Sequence, residues 1–141
     1  SGEALAAGVV GAAVVICNDY EYEILKQKTG LSESDLLDQT DVLIVTGGEH
    51  GSVIITRDGR DEVPAVPPTR IVDPTGVGDA YRGGLMKGLA LGLPHVEAAR
   101  LGSVAATYAL EHLGGQSHAY TLAEFMARYE THFPPLRFPL A

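Results

Sequence analysis

The sequence Asp-Pro-Thr-Gly-Val-Gly-Asp occupies positions 73–79, between the apolar pair Ile71-Val72 and a stretch with helical spacing from Ala80 to Leu93. Glycines on both sides of Val77 allow the backbone to tighten into a turn whose N–H groups point the same way. Such a turn, followed by the first turn of a helix, binds anions and above all phosphate. Residues 73–79 therefore predict a phosphate-binding turn that opens a helix.

The acidic residue at the end of this turn, Asp79, indicates chemistry rather than binding alone. A turn that only held phosphate would gain more from Lys, Ser or Thr at this position. A carboxylate next to a phosphate is disfavoured by charge unless it accepts a proton, and the proton of an attacking hydroxyl is the obvious one. The pattern favours a kinase, although Asp79 taken alone also fits a helix N-cap.

Composition and charge fit one domain in a reducing compartment. The 141 residues are 45% hydrophobic, and no apolar run approaches the ~20 residues that span a bilayer. Residues 1–49 carry a net charge of −7 and residues 50–141 carry −1, so neither part has the basic patch that nucleic acid requires. The single cysteine, Cys17, excludes an internal disulfide and fits a buried position in a cytoplasmic protein. We expect neither a nucleic acid nor a membrane partner.

Apolar patterning predicts alternating strands and helices, and hence an α/β domain with a mostly parallel sheet and one β-hairpin. The predicted strands are residues 12–17, 42–45 and 70–72 and the hairpin 53–66 around Asp58-Gly59, and the predicted helices are 4–10, 19–27, a short one after Ser32, 79–91, 94–113 and 122–129. Ligands bind beyond the carboxyl ends of such strands. Three loops fall there, at residues 18–21, 46–51 and 73–79.

The helix after Asp79 contains Gly83, Gly84 and Gly88. Each glycine costs about 1 kcal/mol relative to alanine in a helix interior. Three of them predict the close approach of another backbone or of a ligand. Tight packing of this helix against the sheet, without any ligand, explains Gly84 and Gly88 equally well.

Residues 73–79 resemble the signature of the ribokinase-like (PfkB) family of carbohydrate and nucleoside kinases, usually Asp-Thr-x-Gly-Ala-Gly-Asp followed by a small residue and Phe. Pro74, Val77 and Tyr81 depart from that pattern. Residues 18–21, Asn-Asp-Tyr-Glu, match the family's Asn-x-x-Glu motif, and residues 46–51, Thr-Gly-Gly-Glu-His-Gly, match its Thr-x-Gly-x-x-Gly segment. The residues of this signature are most similar to those of bacterial adenosine-kinase-type members.

The resemblance implies the family's three-layer, Rossmann-like fold, of which residues 1–141 would form the C-terminal ATP-binding and catalytic portion. Family members are longer, and their acceptor-binding residues and a β-sheet lid lie mostly before the position of Asn18. We therefore expect little phosphotransfer by this chain alone, and association, including homo-oligomers, through the surface that the preceding strands would cover.

The resemblance also implies roles in catalysis. Asp79 would be the general base that takes the proton from a sugar or nucleoside hydroxyl as it attacks the γ-phosphate of ATP, with adenosine the first candidate acceptor. The N–H groups of Gly76, Val77 and Gly78 would form the anion hole for the transferred phosphoryl group.

Cofactor-binding residues follow from the same resemblance. Asn18 and Glu21 would position Mg²⁺ through water, although without the family they fit a helix N-cap and an exposed acid. Asp73 and the carbonyl of Gly114 would surround a monovalent cation such as K⁺, while Asp73 also fits the capping of its own turn. The remaining candidate residues would approach the nucleotide, and they are Thr46, Gly48, Gly51, Ser103, Gly115 and His118.

Two alternatives remain open at this stage. The chain could be a nucleotide-binding remnant of such a kinase, catalytically incomplete or regulatory. It could also be an unrelated α/β binding module whose glycine turn holds some other anion.

Overall fold

A computed structural model describes residues 1–113, 120–138 and 140 of the chain. They form two compact units, Ser1–Glu62 and Val63–Ala141, here called the N-terminal and the C-terminal unit. The helices and strands, in chain order, are α1 Gly2–Val9, β1 Val14–Asn18, α2 Asp19–Thr29, α3 Glu33–Leu37, β2 Val42–Thr46, β3 Ser52–Thr56, β4 Gly59–Val63, α4 Val77–Ala90, α5 His95–Leu110 and α6 Leu122–His132. The predicted α/β class is confirmed.

The sheet has the strand order β1-β2-β3-β4. Strands β1 and β2 pair in parallel, with Asn18 opposite Thr46, whereas β2 and β3 pair antiparallel, with Thr46 opposite Ser52. The sheet is therefore mixed rather than mostly parallel as predicted, because the hairpin strand β3 returns beside β2. Its parallel pair brings the carboxyl ends of β1 and β2 side by side, as predicted for ligand-binding loops.

The predicted hairpin forms as β3 and β4, but its second strand begins at Gly59 rather than at Glu62. Only Arg57 and Asp58 separate the two strands, so the turn is as short as a hairpin allows. A two-residue turn fixes which residues of the two strands lie opposite each other. The second strand therefore begins at Gly59, three residues before the strand that the apolar pattern of residues 62–66 predicts.

The core of the N-terminal unit lies between its helices and one face of the sheet. Leu43 and Ile55 on the strands pack in one cluster with Tyr22 and Leu25 of α2 and with Leu36 of α3. Cys17, which forms no disulfide, is buried in the same cluster, as expected from the sequence. Burial of each large apolar side chain contributes about 1.5–3 kcal/mol and holds the strand ends in place.

Helix α2 begins at Asp19, as predicted, and ends at Thr29, two residues after the predicted end at Gln27. The Asn18 side chain accepts from the N–H of Glu21 at 2.7 Å, and Gly30 ends the helix in the left-handed conformation, at φ 71°. A second capping box opens α3, where Ser32 and Asp35 exchange the equivalent hydrogen bonds. Both signals are local in sequence, and both are confirmed.

In the C-terminal unit, α4 and α5 contact each other through small residues. A Cβ added at Gly84 would lie 2.7 Å from the carbonyl oxygen of Leu101, and one added at Gly88 would lie 2.7 Å from the Cα of Ala98. The close approach predicted from the glycines is therefore made at Gly84 and Gly88 by helix α5, and not by the sheet as predicted. Gly83 is different, because nothing lies within 4 Å of a Cβ placed there.

The predicted strand 70–72 does not form. The N–H groups of Val72 and Asp73 instead donate to the carbonyl of Leu110 at 2.9 and 3.3 Å, so this segment is tied to the end of α5. Helix α4 begins at Val77, two residues before the predicted start, because Gly76 supplies the turn that opens it. Helix α5 ends at Leu110 rather than Leu113.

Candidate functional site

The glycine turn is built by Asp73 and Gly76. One carboxylate oxygen of Asp73 accepts from the N–H of Thr75 at 2.9 Å, which folds the chain back on itself. Gly76 then adopts φ 76° and ψ 4°, the left-handed region that only glycine enters without strain, and serves as the N-cap of α4. The alternative reading of Asp73, as the cap of its own turn, is thus observed.

Most backbone amides at this turn have no acceptor among residues 1–113, 120–138 and 140. In the described part of the chain, no acceptor is found for the N–H of Gly76, Gly78 or Asp79. The N–H of Val77 lies 3.4 Å from the carbonyl of Pro74, beyond the usual 2.7–3.2 Å of such bonds. Because the first N–H groups of a helix carry partial positive charge, this end of α4 is suited to an anion.

The carboxylate of Asp79 stands at the same end of α4. Asp79 is the third helical residue and makes no capping hydrogen bond, so the N-cap interpretation of this residue is excluded. Its side chain is 88% exposed, and one of its oxygens lies 3.5 Å from a guanidinium nitrogen of Arg82. An exposed carboxylate at the edge of an anion site can reach a hydroxyl that approaches the anion.

In the N-terminal unit, Asn18 and Glu21 form a reciprocal pair. The Glu21 carboxylate accepts from the backbone N–H of Asn18 at 2.9 Å, while the Asn18 amide oxygen accepts from the N–H of Glu21 at 2.7 Å. This capping box fixes both side chains at the carboxyl end of β1, exposed to solvent. The Asn-x-x-Glu spacing therefore has a structural function of its own, and it presents carboxylate and amide oxygens, the ligand types that Mg²⁺ prefers.

Thr46 and the glycine loop after β2 lie beside that pair. The register places Thr46 opposite Asn18, and the Thr46 hydroxyl lies 3.5 Å from the carbonyl of Cys17. The loop closes through a 2.8 Å bond from the Gly47 N–H to the Gly51 carbonyl. Gly48 and Gly51 have φ of 58° and 82°, values that L side chains rarely adopt.

The other predicted nucleotide residues are placed differently. Ser103 is buried on α5, and its hydroxyl donates to the carbonyl of Pro64 at 3.2 Å. Gly114, Gly115 and His118 lie outside the described residues, so the structure places none of them.

Two features of the C-terminal unit were not identified from the sequence. Arg82 contacts Asp79, and its position three residues later on one helix face was a signal that could have revealed it. A cavity of about 340 Å³ lies beside α4, lined mostly by apolar groups that include Gly83, Tyr120 and Phe125. Its walls come from α4, α5 and α6 together with Tyr120 and Leu140, and no local pattern in the sequence predicts it.

Among residues 1–113, 120–138 and 140, no group of three or more His, Cys, Asp or Glu side chains could hold a metal ion. Within the same ranges, every helix is too short or too polar to cross a bilayer.

Comparison with known proteins identifies relatives over most of the chain. Residues 2–121 match the pfkB family of carbohydrate kinases. A nucleoside kinase of Methanocaldococcus jannaschii is 33% identical over 115 residues, which cover 82% of this chain and 38% of that protein. Less than half of this relative's length is thus represented here.

Solved structures give the same result. A nucleoside kinase of Burkholderia thailandensis in complex with inosine matches 94% of this chain, with a TM-score of 0.91 and 42% identity, and 44% of that chain is covered. The same kinase in complex with ADP-inosine has a TM-score of 0.90. The sequence match across residues 2–121 and the structural match together show that this chain belongs to the pfkB family of carbohydrate kinases.

Proposed function

We propose that residues 1–141 supply the ATP-binding and phosphoryl-transfer portion of a kinase that phosphorylates a hydroxyl of a nucleoside or sugar. One observation carries the proposal: N–H groups that have no acceptor among the described residues and the exposed carboxylate of Asp79 meet at one end of α4. An anion site and a proton acceptor side by side are what phosphoryl transfer to an alcohol requires.

In the proposed reaction, the acceptor oxygen attacks the γ-phosphorus of ATP while Asp79 takes the hydroxyl proton. A new oxygen–phosphorus bond forms, the bond from the γ-phosphorus to the β–γ bridging oxygen breaks, and ADP leaves. Because the transition state is loose, the position of the carboxylate matters more than its basicity. An exposed side chain on the first turn of a rigid helix provides that position.

The N–H groups of Gly76, Val77 and Gly78 form the proposed anion hole. Charge develops on the oxygens of the transferred phosphoryl group, and fixed backbone dipoles stabilise it without reorganising. The N–H of Val77 would give up its long contact with Pro74 when the anion binds. The loss of one such donor typically lowers the rate by about 100-fold or more.

The remaining roles are assigned to the strand ends of the N-terminal unit and to Asp73. We assign Asn18 and Glu21 to water-mediated binding of Mg²⁺, which supplies charge neutralisation for the phosphates when bound. Thr46, Gly48 and Gly51 approach the nucleotide. Asp73 and Gly114 belong to a proposed K⁺-type cation site that orders the turn, and Gly115 and His118 to the adenine side.

The sequence predicts a nucleotide contact for Ser103 and adenosine as the acceptor. We assign no nucleotide contact to Ser103, because its hydroxyl is buried and already donates to Pro64. The acceptor is proposed to be a nucleoside, because the relatives include nucleoside kinases and one was solved with inosine. Adenosine is the first candidate because the residues of the 73–79 signature resemble those of adenosine-kinase-type members. A cytoplasmic reaction agrees with the use of ATP and with a buried cysteine that forms no disulfide.

The proposal is tested by Asp79→Asn in a chimera in which this chain replaces the matching portion of the Burkholderia thailandensis kinase. We expect the turnover of ATP with a purine nucleoside to fall by about 100-fold or more, since general base catalysis contributes roughly that much. ATP binding, measured by calorimetry, should remain. Asp58→Asn, in the hairpin turn, is the control and should retain full turnover.

The second candidate function, a nucleotide-binding portion that transfers nothing, is favoured by one fact: the chain spans 44% of the Burkholderia kinase. ATP binding by a chimera whose turnover does not depend on Asp79 would support it and contradict the catalytic proposal. The chain alone should show little turnover in either case.

A further inference from the structure

The guanidinium group of Arg82 lies over the first turn of α4. Helical side chains lean towards the N-terminus of their helix, so Arg82 reaches back over the preceding turn. One of its nitrogens lies 3.5 Å from a carboxylate oxygen of Asp79, and a Cβ built on Gly78 would lie 4.0 Å from the same nitrogen. Two independent distances thus place this cation at the mouth of the proposed anion hole.

Charge makes this position significant. The proposed site sets the carboxylate of Asp79 next to a phosphate group, and like charges at such short range repel. Two arginines of the same unit pair with other carboxylates, Arg128 with Glu111 and Arg137 with Glu97. Arg82 is held at the turn and can offset the charge of both anions.

The contact between Arg82 and Asp79 is weak enough to be exchanged. Both side chains are substantially exposed, at 43% and 88%, and an exposed ion pair at 3.5 Å contributes little to stability. A guanidinium binds phosphate oxygens through two parallel hydrogen bonds and is stronger in that geometry. The alternative explanation is an ion pair between neighbouring turns of one helix. In this pair the acid precedes the base, which is the order that stabilises a helix.

We propose that Arg82 binds the terminal phosphate of ATP, moving from Asp79 to the non-bridging phosphate oxygens when the nucleotide enters. This exchange leaves the carboxylate of Asp79 available for the acceptor hydroxyl. The inference rests on the proposed function and adds to it a specific contact for the phosphoryl group. It also explains how an anion site works in a unit that carries almost no net charge.

The test is calorimetric binding of ATP, ADP and AMP, with Mg²⁺, to the 141-residue chain and its variants. We expect Arg82→Gln to weaken ATP binding by about tenfold or more, because a charge-assisted bidentate contact is lost. ADP should be affected less, and AMP not measurably. Arg82→Lys keeps the positive charge but loses the paired guanidinium hydrogen bonds. Its ATP affinity should lie between those of the unsubstituted chain and Arg82→Gln.

Lys87→Gln is the matched control, since it removes a cation from the same helix beyond the first turn. A similar loss of ATP affinity in Lys87→Gln, or equal losses for ATP and AMP in Arg82→Gln, would show a general charge effect and overturn the inference. ATP binding unchanged in Arg82→Gln would overturn it while leaving the proposed function intact. Failure of the unsubstituted chain to bind any nucleotide would contradict both the inference and the proposed function. Circular dichroism confirms that each variant is folded.

Discussion

At the scale of single residues, a buried carboxylate holds three segments of the C-terminal unit together. Glu111 accepts from both terminal nitrogens of Arg128, at 2.6 and 2.8 Å, and from the N–H of Thr69 at 2.7 Å. Arg128 also donates to the carbonyl of Pro67 and stacks on the ring of Tyr108. The hydrogen bonds from Arg128 lower the pKa of Glu111 to about 2, against the opposing effect of burial.

Glu111→Gln should therefore destabilise the chain and change its response to acid. Because the folded pKa lies below the unfolded value of 4.5, the carboxylate stabilises the fold fully above pH 4.5 and loses this contribution as the pH falls towards 2. The difference between the folded and unfolded pKa values of Glu111 corresponds to a stabilisation of the folded state by roughly 3 kcal/mol at neutral pH. Urea unfolding between pH 2 and 7 measures it, and the gap between the two proteins should close at the acidic end. Glu130→Gln, exposed on α6, controls for the loss of a negative charge, and an equal effect there would contradict the assignment.

Helix-capping residues were predictable because their signal is local. Asn18 with Glu21 and Ser32 with Asp35 are capping pairs three residues apart, and the structure forms both. Ser103 was assigned by resemblance, but its hydroxyl is occupied by Pro64, which lies 39 positions away in the sequence. No local pattern encodes such a contact, because it depends on how distant segments meet.

At the scale of elements, the spacing of α4 and α5 is set by glycine. The side chain that alanine adds at position 84 would lie 2.7 Å from the Leu101 carbonyl and 2.9 Å from the Cα of Gly102, whereas position 83 is open. Gly84→Ala should thus force the helices apart and cost roughly 1–3 kcal/mol. Gly83→Ala should instead stabilise the chain by up to about 1 kcal/mol, since it only improves helix propensity.

Thermal unfolding of the two variants is the measurement, and their opposite signs make each the control of the other. A loss of stability in both would mean that Gly83 also has a contact that matters, and a gain in both would mean that α4 and α5 are not closely packed. The sequence predicted that another backbone or a ligand lies close to these glycines. It could not say which glycine faces a neighbour, because that depends on the rotation of α4 against α5.

Element boundaries depended on contacts of the same kind. The apolar residues Ile71 and Val72 have strand character, yet the N–H of Val72 is used by the carbonyl of Leu110 at the end of α5. A backbone N–H that is satisfied by a helix end is no longer available to a neighbouring strand. The early start of α4 has a local cause, the left-handed Gly76, which the sequence did contain.

At the scale of the whole molecule, β1 is the terminal strand of the sheet order β1-β2-β3-β4. Among the described residues, its only strand partner is β2, and its first three residues are half-buried rather than fully buried. An open strand edge next to apolar side chains pairs readily with another chain. We therefore expect the 141-residue chain to associate as its concentration rises, with the apparent mass by light scattering exceeding that of the monomer.

Val14→Lys tests whether the edge of β1 is responsible. Val14 begins this strand and lies outside the hydrophobic cluster of the N-terminal unit, so a lysine there adds charge at the edge at small cost to the core. Val10→Lys is the matched control, because Val10 is 65% exposed and precedes the strand. Association that falls in Val14→Lys but persists in Val10→Lys assigns it to the strand edge. Equal losses would point to general apolar contact, and a monodisperse monomer in the unsubstituted chain would show that the edge is closed by other means.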